Sequence, residues 1–195
     1  MGSLTPKAFA NPSPGLEHKR QPWVLNAKLP STLKGLILKG EHLTMAQSLS
    51  RLWTHLIFST KNRFPFLTDK VLRREMHAYL AEMLRKHDCE TLIVGGVEDH
   101  THSLFALPRT NAIARVVKEV KRTSSSWIKE ARPKLAKFHW QGGYAAFSVS
   151  QSNIDEVIRY IENQEQHHKR ITFQDEYRAF LKAYAIDYDE RYVWD

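Results

Sequence analysis

The chain has 195 residues, 42% of them hydrophobic and 26% charged, and its one cysteine, Cys89, excludes an internal disulfide or a cysteine-built zinc cluster. A net charge of +8 and a pI near 9.6 favour a polyanionic partner, nucleic acid ahead of a membrane surface, because clustered Lys and Arg displace counterions from phosphates. No apolar run approaches the roughly 20 residues of a membrane span and the N-terminus lacks a signal peptide's apolar core, so a soluble cytoplasmic chain is expected.

Composition shifts once, near Met45. Residues 1–44 hold five of the eight prolines and four of the eight glycines. They carry six Lys/Arg against two Asp/Glu, a net +4, which leaves +4 of the total +8 for residues 45–195. "NPSPGLEHKRQP" has neither a helical nor a strand period and reads as loop or disorder. The expected organisation is a disordered basic extension over 1–44 and a folded unit over 45–195.

From Met45 strands and helices alternate. "LWTHLIFST", 52–60, is β-branched and aromatic and predicts a strand. Thr68 and Asp69 can cap a helix whose apolar positions Leu72, Met76, Tyr79, Leu80, Met83 and Leu84 recur every three or four residues. "ETLIVGGVED" and "HTHSLFALP" predict two adjacent strands, with Gly95–Gly96 allowing a bulge or a close backbone approach. A helix over about 111–131 carries the stripe Ile113, Val116, Val117, Val120 and Trp127 and stops before Pro133. "FHWQGGYAAFSVS", 138–150, predicts a fourth strand. Ser152 and Asp155 suggest a capping box opening a third helix that runs to about Gln166, and a shorter helix is expected from Phe173 to about Tyr184.

The order β-α-β-β-α-β followed by helices predicts an α+β, ferredoxin-like fold: a four-stranded antiparallel sheet with two helices on one face. The other face is left for a ligand or for the extra C-terminal helices. In a strand, residues two apart share a face, so His100 and His102 project together while Thr101 points away. Such a pair can chelate one divalent ion, and Glu98 joins it if the strand stays regular; an exposed histidine beside a satisfied half-buried one is the plainer alternative. In the third helix Tyr160 and Gln164 lie on one flank of the buried stripe and can reach a shared site, or Tyr160 is a boundary residue with a wet hydroxyl. Arg115, Lys118, Arg122 and Lys129 fall roughly on one side of the second helix, and Lys61 and Arg63 follow the first strand; all six are candidate phosphate contacts. His167 and His168 read as a solvated helix end, and His55 as half-buried structure.

From about Ser50 to the C-terminus the chain resembles the single-tyrosine HUH transposases of the IS-two-hundred-like insertion sequences and their repeat-associated, partly domesticated relatives. The resemblance rests on "HLIFSTKNR", "DHTHSLFALP", "KRTSSSWI", "WQGGYAAFSVS", "VIRYIENQEQHH" and "DERYVWD", in that order. Thr101 stands where the family usually has a bulky hydrophobic residue between the histidines.

The resemblance implies that His100, His102 and Gln164 hold Mg²⁺ or Mn²⁺ and that Tyr160 is the nucleophile. It further implies that the enzyme cleaves and rejoins single-stranded DNA at hairpin-bearing element ends through a 5′-phosphotyrosine, as a homodimer in which one subunit's tyrosine helix can complete the other's site. Two alternatives stand beside an active transposase: a domesticated relative that binds or nicks host DNA hairpins, and a non-catalytic RNA-binding sheet of RRM type.

Overall fold

The computed structural model describes residues 48–194; the expected extension over 1–44 lies outside the described residues. The elements are β1 (Leu52–Ser59), α1 (Lys70–Lys86), β2 (Glu90–Gly96), β3 (His100–Leu107), α2 (Ile113–Ala131), β4 (Ala145–Val149), α3 (Ile154–Glu162), α4 (Gln164–His167) and α5 (Phe173–Ala183). The strands form one antiparallel sheet in the order β2-β3-β1-β4. This is the expected ferredoxin-like arrangement.

The pleat of β1 sorts the core into two layers. Leu56 and Phe58 face α1 and α2, where they pack with Met76, Leu80, Val116, Val120 and Ile128. Trp53 and Ile57 face the opposite way, against Val157, Tyr160, Ile161 and Phe180 of α3 and α5. The extra helices therefore cover the second face, and α+β becomes a three-layer packing of helices, sheet and helices. Fully buried side chains such as Leu80 and Phe180 each contribute roughly 1.5–3 kcal/mol.

Local chemistry explains the helix ends. Asp69 Oδ1 accepts from the Val71 and Leu72 amides at 2.8 and 3.3 Å, opening α1, and Thr172 Oγ1 accepts from the Asp175 amide at 3.2 Å, opening α5. Three expectations fail. The fourth ladder is confined to Ala145–Val149, with Trp140 making a single bridge to Thr60, because Gly142 and Gly143 leave the sheet and turn their carbonyls to Lys121 Nζ at 3.3 and 2.8 Å. The third helix ends at Glu162 instead of running to Gln166. Asn163 Nδ2 donates to the Arg159 carbonyl at 2.7 Å, a local competitor to the helical ladder, and a new turn, α4, begins. No capping box forms either; residues 151–153 make a 3-10 turn instead.

Gly95 and Gly96 meet the close-approach expectation. A Cβ on Gly95 would lie 2.7 Å from Ile161 Cγ2 of α3, and one on Gly96, whose φ is +140°, would lie 2.3 Å from the His100 carbonyl oxygen. The one register shift in this hairpin sits elsewhere, between Thr91 and Ile93.

Candidate active site

His100 and His102 emerge from β3 on the face covered by α3, α4 and α5, and both are buried. Thr101 points into the α1/α2 layer, as the pleat requires. Each histidine is held through its Nδ1: His100 by Asp99 Oδ1 at 2.7 Å, His102 by His55 Nε2 at 3.0 Å. Both Nε2 atoms are thereby turned inward, where they are buried and make no hydrogen bond.

Glu176, from the buried stripe of α5, meets them. Its Oε2, also buried and without a hydrogen bond, lies 3.6 Å from His102 Nε2, 4.0 Å from His100 Nε2 and 3.5 Å from His168 Nε2. His100, His102, His168 and Glu176 each offer a donor atom, all within 4.8 Å of one another. Adjacent donors on one octahedral ion at ~2.1 Å stand ~3 Å apart, so the spacings of 3.5 to 4.0 Å around Glu176 Oε2 need to close only slightly to share a divalent cation. The outer bonds from Asp99 and His55 fix ring orientation in the way metal-ligating histidines need.

The tyrosine completes the cluster. Tyr160 is only 2% exposed, so it is not a boundary residue with a wet hydroxyl, and its hydroxyl donates to Glu176 Oε1. Gln164 Oε1 is hydrogen-bonded to His168 Nε2 at 2.9 Å, and Gln164 Nε2 reaches Glu176 Oε1 at 3.3 Å. His167 Nε2 stands 3.3 Å from the same oxygen. His100, His102, Tyr160 and Gln164 thus converge within one chain.

Charge follows burial and neighbours. Burial opposes a charge on Glu176, but the imidazoles of His102, His167, His100 and His168 outweigh it and hold the carboxyl below the usual carboxylate range. Burial pushes His102 well below the ordinary imidazole value and His55 down to about 4, a shift towards the neutral ring that a ligand or its support needs. Burial, then the Glu176 charge and the hydrogen bond to it, push the Tyr160 phenol up.

Several sequence readings need correction. His167 and His168 are not a solvated helix end: their side chains are 19% and 13% exposed and turned to Glu176. His55 is fully buried, in contact with His102. Glu98 leaves the histidine face, because the strand is interrupted at 97–99 and its carboxylate pairs with Arg73 at 3.4 Å. Glu176 was missed, although its signal is readable: Phe173, Tyr177, Phe180 and Leu181 make an apolar stripe, and Glu176 is a charge set within it.

The candidate phosphate contacts are not brought to this cluster. Arg115, Lys118 and Arg122 are exposed and Lys129 half-buried on α2, on the other side of the sheet, and Arg122 also pairs with Glu119 at 2.8 Å. Lys118, Lys121 and Arg122 line a groove of about 430 Å³ with His139, Trp140 and Tyr144. Lys61 and Arg63 sit in the 3-10 turn after β1. A second groove, about 340 Å³, reaches Gln164 past Lys70, Arg73, Arg74 and His77, cations and a histidine that the sequence reading passed over.

A sheet with paired histidines facing a tyrosine-bearing helix now meets its relatives. The sequence model of the family described as "Transposase IS200 like" matches residues 48–164, which is 117 of the 195 residues. The chain belongs to this family of DNA-cleaving transposases. The matched span contains His100, His102, Tyr160 and Gln164 and ends before His168 and Glu176. Among solved structures, a candidate transposase of Deinococcus radiodurans R1 is similar at 26% identity and a TM-score of 0.49, over 65% of this chain and 97% of that one. A REP-associated tyrosine transposase bound to a REP hairpin is similar at 14% identity and a TM-score of 0.47, over 65% of this chain and 76% of that one. No protein of curated function matches the chain at a significant level. Among the described residues no helix is long and apolar enough to cross a membrane.

Proposed function

We propose that this transposase cleaves and rejoins single-stranded DNA with Tyr160 as nucleophile and a divalent ion, Mg²⁺ or Mn²⁺, at the histidine pair. The observation that carries the reading is the convergence of three buried, unbonded donors, His100 Nε2, His102 Nε2 and Glu176 Oε2, beside the Tyr160 hydroxyl. His100 and His102 would hold the ion, with Glu176 and His168 completing the set and Gln164 adjoining through His168. A bound ion supplies charge stabilisation at a non-bridging phosphate oxygen.

The protein's own residues supply the rest. Tyr160 Oη attacks phosphorus, the bond from phosphorus to the 3′ oxygen breaks, and that oxygen takes up a proton from water, so that a 5′-phosphotyrosine and a free 3′ hydroxyl result. The ester keeps the phosphodiester's energy for rejoining. Glu176, ionised and already accepting the phenol's hydrogen bond, is the nearest acceptor for its proton. Asp99 and His55 hold the imidazoles in register. Hairpin-bearing DNA ends are the proposed substrate, with Lys61, Arg63, Arg115, Lys118, Arg122 and Lys129 contacting phosphates. A domesticated relative would carry the same site, and flanking inverted repeats in its genome would tell the two apart. An RRM-type RNA binder is disfavoured because both faces of the sheet are covered by helices, leaving none on which bases can stack.

The test is incubation with single-stranded copies of the gene's flanking DNA and Mn²⁺, followed by detection of a covalent adduct. Adduct is expected on the tryptic peptide containing Tyr160, and Tyr160→Phe should reduce it to background while DNA binding survives. An adduct on Tyr144 or Tyr177, or undiminished cleavage by the phenylalanine variant, would overturn the assignment.

A further inference from the structure

Arg73 lies outside the cluster, yet its guanidinium joins both halves of the frame that carries it. It is 6% exposed, on the face of α1 that meets the edge of the sheet. One guanidinium nitrogen, Nη1, lies 3.4 Å from Glu98 Oε2, and the other, Nη2, 2.9 Å from Glu165 Oε1. Glu98 belongs to the turn that leads into His100: its carbonyl accepts from the Leu67 amide at 2.9 Å, and the next residue, Asp99, holds the His100 ring at 2.7 Å. Glu165 follows Gln164 in α4, the short turn that presents His167 and His168 to Glu176. The histidines of β3 and those after α3 come from segments that share no hydrogen-bonded ladder, so something must set their spacing.

The geometry points to Arg73 as a positioning residue, a strut that fixes the turn before His100 against the turn bearing Gln164 and His168 and so sets the width of the donor cluster. Its effect on the ion rests on the metal reading proposed above. A planar guanidinium suits this work because its two outer nitrogens engage two carboxylates in fixed directions, which a single ammonium cannot do from the same place. Lys70 does not duplicate it: Lys70 Nζ holds Glu165 Oε2 at 2.9 Å, but from a side chain that is 65% exposed. The two carboxylates are about half exposed, 50% for Glu98 and 49% for Glu165, so the guanidinium is the buried member of the strut.

The test uses the full chain and four variants, Arg73→Gln, Arg73→Lys, Glu98→Gln and Glu165→Gln. The first readout is the imidazole ¹⁵N–¹H spectrum of the metal-free protein, and the second is Mn²⁺ affinity by calorimetry. Arg73→Gln is expected to shift the signals of both His100 and His168 and to weaken Mn²⁺ binding about tenfold or more, the scale for losing a support of metal ligands. Arg73→Lys should not restore the wild-type spectrum. Glu98→Gln should move the His100 signal with little change at His168, and Glu165→Gln the reverse. That arm-by-arm pattern separates a strut from general loosening, which would move all signals alike in every variant. Unchanged spectra and affinity in Arg73→Gln, or identical shifts in all four variants, would overturn the inference. If wild-type protein binds no Mn²⁺, the metal reading falls, and the metal-free spectra still decide the role of Arg73. If Arg73→Gln fails to fold, the two Glu→Gln variants decide it.

Discussion

Glu176 is the residue on which the cluster closes, since it touches both β3 histidines, His167, His168 and the Tyr160 hydroxyl. Glu176→Gln keeps the shape and removes one anionic donor. It is expected to weaken Mn²⁺ binding by tenfold or more, and by more than Gln164→Ala, as titration calorimetry would show. The reverse ranking would return the ligand role to Gln164. A second residue-scale prediction concerns pH. Burial holds His55 at about 4 in the fold, and burial, helped by Arg73 and His100, does the same to His77, against 6.5 for each in the unfolded chain. As pH falls from about 6.5 the unfolded chain takes up these protons first, so stability present above 6.5 is lost progressively down to about 4. For the fully buried His55 the loss is on the order of 3 kcal/mol. Urea midpoints of the metal-free protein should fall across that window, and His77→Leu, which removes a buried Nε2 with no hydrogen bond, should make the fall shallower.

At the scale of elements, the tip of the β2–β3 hairpin has no room for side chains. Gly96→Ala would force a Cβ to within 2.3 Å of the His100 carbonyl oxygen and 2.9 Å of Thr101 Cα, at a φ of +140° that L residues rarely adopt. A loss of about 2–3 kcal/mol or more is expected by chemical denaturation, with Mn²⁺ affinity falling too because the strained backbone carries His100. Gly95→Ala meets a methyl of Ile161 at 2.7 Å and its carbonyl oxygen at 3.0 Å, and is expected to cost about 1–3 kcal/mol by pushing on α3. Elements with strong local signals were readable in advance. α1 begins after Asp69, where the cap was expected, α5 spans Phe173–Ala183, and α2 ends before Pro133. Breaks caused by competing hydrogen bonds were not. The side chain of Asn163 and the carbonyls of Gly142 and Gly143 find partners that no period in the sequence announces.

For the whole molecule, charge and assembly carry the predictions. The positive groove on α2 and the histidine–glutamate cluster lie on opposite faces of the sheet, so under the proposed function affinity and cleavage should separate. Changing Arg115, Lys118 and Arg122 to Gln is expected to lower the slope of log affinity against log salt by roughly two to three. Adduct formation at saturating DNA should be unaffected. Filter binding from 50 to 200 mM salt checks the first part, and equal loss of adduct at saturation would count against the separation. A homodimer, implied by the resemblance, should sediment at twice 22.7 kDa at micromolar concentration. A monomer that still forms adduct would show that the meeting of Tyr160 and the histidines within one chain suffices.

By itself the sequence determined the pairing of His100 and His102, because a strand's period of two leaves no other arrangement for them. It equally determined the sheet and its order of elements, while leaving Tyr160 open between a shared site and a boundary position. Only the tertiary structure decided what those groups meet. A hydrophobic pattern states which face of an element is buried, not which distant segment buries it. Glu176 was therefore missed until α5 brought its carboxylate to the histidines of β3. His168 looked solvated until the break at Asn163 turned it inward, and Arg73 carried no sequence signal at all until Glu98 and Glu165 closed on it from two separate turns.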